Sequence, residues 1–212
     1  MNLTQILMDI AIGGSTWILM LLIVLSILSI ALIIEKSILY TRWLRETKRL
    51  WEEVKKYFES NSSSEMENIL QQSNTPITRI IRAGLGSLTE KESMMEAIEA
   101  EKIITRMEIE RRLAFLGTLG TNAPFIGLFG TVLGIIHTFK DLAISGQGGT
   151  SVISGISEAL IATGVGLWVA IPSAVFYNIF KKKSSDMMVY ADSIAHFMIG
   201  NFQKINSQRR NL

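Results

Sequence analysis

The sequence predicts an all-α integral membrane protein with three transmembrane helices extended into a cytoplasmic helical bundle. Three observations carry this. First, three runs lack charge over bilayer length: Thr16 to Ile34, Leu113 to Phe139, and Leu142 to Phe180 with the single exception of Glu158. A helix needs about 20 such residues to cross the hydrocarbon core, and a buried helix of a soluble domain usually keeps a polar face. Second, the chain is apolar throughout, with 48% hydrophobic residues among 212 and three prolines, and a mean hydropathy of +0.31. Third, its cations are unevenly placed. None precedes Lys36, thirteen lie from Arg42 to Arg112, only Lys140 falls between the second and third runs, and six follow Phe180.

Lys and Arg are retained on the cytoplasmic side. The expected layout is therefore an outer N-terminal segment 1–15, a first crossing at 16–34 and a cytoplasmic helical domain at 35–112. A second crossing at 113–139, an outer loop at 140–150, a third crossing at 151–180 and a cytoplasmic C-terminal helix at 181–212 complete it. The first run, "TWILMLLIVLSILSIALII", has no polar face. No Lys or Arg precedes it and no small-residue cleavage site follows it, so an uncleaved anchor is expected rather than a signal peptide. Residues 42–58 continue this helix outward, "SNSSSE" (60–65) breaks it, and "SNTP" (73–76) marks a second turn, with short helices filling the gap.

From Glu92 onward Ala97, Ala100, Ile104, Met107 and Ala114 recur at helical spacing, and no breaker precedes the second apolar run. One continuous helix entering the membrane is expected. Met187, Ala191, Ile194, Met198, Phe202 and Ile205 form a similar stripe, and both stripes are expected to pack in the cytoplasmic bundle. Within the second run Gly117, Gly120, Pro124, Gly127, Thr131, Gly134 and Thr138 fall at steps of three and four. Small-residue stripes let helix backbones approach closely in lipid, so the glycines and Pro124 read as packing positions.

Several functions are excluded. With no cysteine, disulfides and thiol chemistry are absent, and His137 and His196 stand in no metal-ligand spacing. "SGQGGTS" (145–151) lacks the Lys of a phosphate loop and reads as an outer turn. The net charge is +2, and the cations of the middle segment alternate with glutamates, which describes a solvated helix surface and not a nucleic-acid face. Lys181, Lys182 and Lys183 read as a membrane-edge marker. Nothing resembles an enzyme site, and no cofactor is expected.

Glu158 is the conspicuous residue. At 100° per residue, Ile153, Ile156, Leu160, Gly164, Leu167 and Ile171 share one side of the third helix, and Ser151, Ser154, Gly155, Glu158, Ala162, Val165 and Val169 the other. A charge at the centre of a membrane helix costs roughly 2.5–3.5 kcal/mol, so an idle carboxylate is rare there, and a group that gains and loses a proton is a natural relay. The alternative is a protonated Glu that only hydrogen-bonds between helices. Counting about 1.5 Å per residue from the outer ends places Thr131 and Glu158 at similar depth.

The two stretches "LGTLGTNAPFIGLFGTVLGIIHTF" (116–139) and "GISEALIATGVGLWVAIPSAVFYN" (155–178) resemble the ExbB and TolQ family of inner-membrane proton channels, related to flagellar stators. The likeness extends to the three-helix topology and large cytoplasmic loop. It implies a bacterial inner-membrane location, with the outer segments periplasmic, and a homopentamer in lipid. Its pore would hold a dimer of an ExbD-like or TolR-like single-span protein bearing a membrane Asp, linked to a TonB-like or TolA-like transducer. It also implies protons as the coupling ion and a path through Glu158, Thr131 and Thr163, the acid as carrier and the hydroxyls as supports. Thr163 stands five positions from Glu158, about 140° round an ideal helix, so the two project differently; because a Thr in a membrane helix often bonds only its own backbone, Thr163 ranks behind Glu158 and Thr131, and whether it shares the task of Glu158 stays open. The run 122–136 is nearer to ExbB, which energises TonB-dependent outer-membrane transport. A TolQ-like role in envelope integrity and division, a gliding-type relative and a sodium-driven stator stay open.

Overall fold

The computed structural model describes residues 16–60, 65–87, 90–146 and 149–210. The expected outer segment 1–15, the middle of "SNSSSE" and the middle of "SGQGGTS" lie outside them. Seven helices and no strand occur among the described residues: α1 Thr16–Ser60, α2 Glu65–Gln72, α3 Ile77–Gly86, α4 Lys91–Glu110, α5 Leu113–Ser145, α6 Thr150–Gly200 and α7 Phe202–Arg210. Three of them, α1, α5 and α6, are long and apolar enough to cross a membrane. The turn at 73–76 and the short helices around it form as expected. α5 carries on past Phe139 to Ser145, where Gly146 ends it in the left-handed conformation at φ 63°, a position that suits a residue without Cβ.

The chain divides into two compact units, one holding residues up to Glu35 with Arg112–Asn178, the other Lys36–Arg111 with Ile179–Leu212. In the first, Ile18 and Leu22 of α1, Leu119, Ala123 and Leu133 of α5, and Val169 and Ala170 of α6 form one buried cluster. Its outer surface is apolar: Met20, Phe125 and Trp168 are each more than 60% exposed. Exposed apolar area of this extent needs lipid or another chain against it.

In the second unit, α6 buries Met187, Ala191, Ile194 and Met198, and Ile205 of α7 is buried too, as the stripe on the sequence predicts. Phe197 meets Trp51 and Phe58 edge-on, at centroid distances of 5.8 and 5.3 Å. The α4 stripe turns out differently. Met94, Ile98, Thr105 and Ile109 are buried, whereas Ile104 and Met107 are 54% and 71% exposed. Both sides of α4 are apolar, and a period cannot tell which of two apolar sides is covered; the buried one contains a threonine and so reads as the weaker.

The continuous helix expected from Glu92 into the membrane is also broken. Arg112 adopts φ 69°, a conformation costly for a residue with a Cβ, and α4 and α5 are separate helices either side of it. Arg112 Nη1 donates to Glu35, at 3.2 and 3.3 Å from its two oxygens. No glycine, proline or Asn marks this break, so the sequence offers no local signal for it.

The second unit also holds a polar cluster. Tyr40 is fully buried, stacks on Phe180 at 5.4 Å and donates its hydroxyl to the Ile109 carbonyl. Glu110 accepts from Lys181, Arg106 and Ser184. Partial burial pushes the Glu110 carboxyl up, but Lys181 and Arg106 outweigh it and hold the group below its ordinary value. A folded value below the unfolded one gives stability that is full above the ordinary carboxylate range and is lost as pH falls through the lowered value. The melting-temperature gap between wild type and Glu110→Gln is therefore expected at neutral pH and should close in acid. Tyr40→Phe strands the buried Ile109 carbonyl and is expected to destabilise by about 1–3 kcal/mol, read as an earlier denaturation midpoint.

Candidate functional site

The site is built on the crossing of α5 and α6 within the first unit. A Cβ at Gly127 would stand 2.6 Å from the Ala162 carbonyl oxygen and 3.0 Å from Thr163 Cα, and one at Gly120 2.9 Å from the Ala174 nitrogen. A Cβ at Gly117 would meet the Tyr177 ring at 3.1 Å. The two helices thus touch backbone to backbone where the sequence puts its small residues. Pro124 is half-buried and Gly134, buried, accepts from Thr138 at 2.8 Å.

These contacts fix the level of each polar residue. Gly130 meets Ala162, and Gly155 meets Thr138. Thr131 is thus level with Ala162, and Glu158 lies about one turn, roughly 5 Å, further toward the connection between α5 and α6. The similar depth expected from counting is corrected: Gly155, and not Ser151, stands level with Thr138 on α5, so the two helices are offset by about one turn relative to the count.

Angle separates the three residues further. On α6, Ala159, Ala162, Gly166 and Val169 lie between Glu158 and Thr163 on the helical wheel, and they are the residues buried against the neighbouring helices. Val165 and Val169, on Glu158's side, pack with Ile18 and Leu22 of α1. On α5 the residues of the same cluster, Phe115, Leu119, Ala123, Ile126 and Leu133, lie about 80–160° from Thr131, all in the same sense. Thr131 and Thr163 therefore fall on the side of the crossing turned away from α1, and Glu158 on the side toward it.

Their surroundings also differ. Glu158 is exposed. Thr131 is buried and donates to its own helix at the Leu128 carbonyl, 2.6 Å away; Thr121, Thr138 and Ser173 do likewise. Thr163 does not: its hydroxyl oxygen is buried with no hydrogen-bond partner. The backbone bond that a Thr in a membrane helix often makes is found at Thr131 and not at Thr163. A buried hydroxyl without a partner in its own protomer is uncommon and calls for an explanation. The described residues hold no cluster of His, Asp or Glu fit for a metal ion.

Three membrane-length helices, tightly crossed through glycine, with one carboxylate set in an otherwise apolar run, define a polytopic α-helical membrane protein with an ionisable group on its surface. The signature of the MotA/TolQ/ExbB proton channel family matches residues 72–193. A putative biopolymer transport protein, ExbB-like 2 of Helicobacter pylori, is 43% identical over 91 residues, covering 42% of this chain and 61% of that protein. The biopolymer transport protein ExbB of Pseudomonas putida is 32% identical over 178 residues, 76% of this chain and 54% of that protein. The Tol-Pal system protein TolQ of Haemophilus influenzae is 34% identical over 174 residues, 76% of both. The chain belongs to the MotA/TolQ/ExbB proton channel family. It spans 61% of the Helicobacter relative and 54% of the Pseudomonas one.

Proposed function

We propose that this chain is a proton-conducting subunit of the bacterial inner membrane that forms a ring, in the pentameric arrangement its family resemblance implies, around a dimer of a single-span partner. Protons are the coupling ion, and their flow drives motion between ring and axle that a TonB-like transducer passes to outer-membrane transport. The observation that supports this best is Glu158: the one formal charge of the third run lies on the surface of the protomer and not in its core. Left facing lipid it costs roughly 2.5–3.5 kcal/mol, so another chain is expected to cover it. An acid on that chain's membrane helix would complete a relay. Thr131 and Thr163, on the other side of the crossing, then act as hydroxyl supports lining a separate stretch of the path.

A second reading, a TolQ-like subunit serving envelope integrity and division, is favoured by the TolQ relative whose likeness covers 76% of both chains. Purification in mild detergent decides between them. The expected result is a co-purifying single-span protein with an Asp in its membrane helix, and the transducer bound to that pair names the machine. A chain that purifies alone and conducts protons alone would overturn the proposal. Activity measured across sodium concentration at fixed proton motive force is expected to stay flat; strict sodium dependence would replace the proton with sodium.

A further inference from the structure

Within the second unit, α1 carries an open cleft of about 650 Å³ lined by Ser37, Ile38, Thr41, Arg42, Arg45 and Glu46. It begins three residues after the charge-free run ends at Ile34. Its chemistry is specific. Ser37 and Thr41 offer hydroxyls, and Lys183 of α6, beside the cleft, donates to Thr41 Oγ1 at 3.0 Å. The cleft's one acid, Glu46, is engaged by Arg42 at 2.9 Å. No acidic side chain among the described residues pairs with Arg45, and the cleft is left net positive. Beside these polar groups Ile38, an apolar residue, is 68% exposed.

The geometry points to a binding site for the headgroup of an anionic phospholipid. A phosphodiester beside Arg45 and Lys183 gains charge-assisted hydrogen bonds, the hydroxyls of Ser37 and Thr41 supply further donors, and Ile38 meets the glycerol and upper acyl region. The position suits this ligand above a free phosphate: Arg42 and Arg45 stand about 12 and 16 Å along α1 past Ile34, helical side chains slant back toward the N-terminal, membrane end of α1, and cations near the headgroups each contribute to anionic-lipid attraction. The lysines that mark the membrane edge in sequence thus include one, Lys183, held in place by a hydroxyl of this cleft. The inference stands on the membrane-spanning character of α1 and is independent of proton conduction.

The full chain, purified in a neutral detergent, is titrated with phosphatidylglycerol and separately with phosphatidylcholine, and bound lipid is counted by native mass spectrometry. Wild type is expected to prefer phosphatidylglycerol, and Arg45→Gln to weaken that binding roughly fivefold, as expected for one cation at a lipid surface. Thr41→Val, which removes the anchor of Lys183 without changing charge, is expected to weaken it as well. Lys55→Gln with Lys56→Gln, a larger charge change further along α1, is expected to leave it unchanged. Equal weakening by the Lys55/Lys56 variant, or no preference for phosphatidylglycerol, would overturn the site. Displacement of the lipid by inorganic phosphate at matching concentration would overturn the choice of ligand. Wild-type lipid binding together with normal proton flux in Glu158→Gln would sink the proposed function and leave this site intact.

Discussion

Glu158→Gln is expected to abolish proton-driven work while the protein still assembles. Glutamine keeps the size of the side chain and its capacity to hydrogen-bond but cannot take up or release a proton. If Glu158 served only as a protonated hydrogen-bonding group between helices, Gln would replace it at little cost. Because Glu158 is exposed on the protomer, the substitution leaves the protomer's own core untouched, and the proposed ring and partner should co-purify in wild-type ratio. Loss of energised transport to background with assembly retained is the expected pair of results, measured by growth on a substrate that needs outer-membrane uptake and by recovery of the complex. Normal growth in this variant would remove Glu158 from the mechanism.

The second large effect is structural. Gly127→Ala places a methyl 2.6 Å from the Ala162 carbonyl oxygen and 3.0 Å from Thr163 Cα, and since these are backbone atoms, no side-chain rotation relieves the clash. The helices must move apart, at a cost of about 1–3 kcal/mol for overpacking. Gly164→Ala makes the same chemical change on α6 where nothing lies within 4 Å, and is expected to be neutral or slightly stabilising, since Ala exceeds Gly in helix propensity. Thermal unfolding in detergent should therefore show a clear drop for Gly127→Ala and none for Gly164→Ala. Equal effects would mean that the crossing tolerates separation. Since Thr163 sits at the contact, Gly127→Ala is also expected to lower activity more than its loss of folded protein explains.

Much of this architecture is legible in the sequence because its signals are long. The run 16–34 and the stripe from Gly117 to Gly134 are set by the physics of lipid, which admits only apolar, internally hydrogen-bonded segments and rewards close backbone approach. The α6 stripe through Met187 and Met198 is legible for the ordinary reason that one apolar side opposes a polar one. The misses share a cause. Which side of α4 is covered depends on partners far away in sequence, and the left-handed Arg112 is held by Glu35, 77 positions distant, with no local mark. Depth along α5 and α6 depends on their register, which side-chain contacts such as Gly155 against Thr138 decide and residue counting does not. The placement of Thr163's hydroxyl follows from the same register. The charged cleft on α1 was hidden for a different reason: its cations lie among many others, and only the pairing of Arg42 with Glu46 shows that Arg45 is left over.

The central claim is that the Glu158 carboxyl carries the proton across the outer part of the path. Proton flux into vesicles holding the ring with its co-purified partner, driven by an imposed potential and followed by a pH-sensitive dye, tests it directly. Wild type is expected to conduct and Glu158→Gln to fall to the level of vesicles without protein, at equal amounts of assembled complex. Flux in Glu158→Gln equal to wild type would contradict the account.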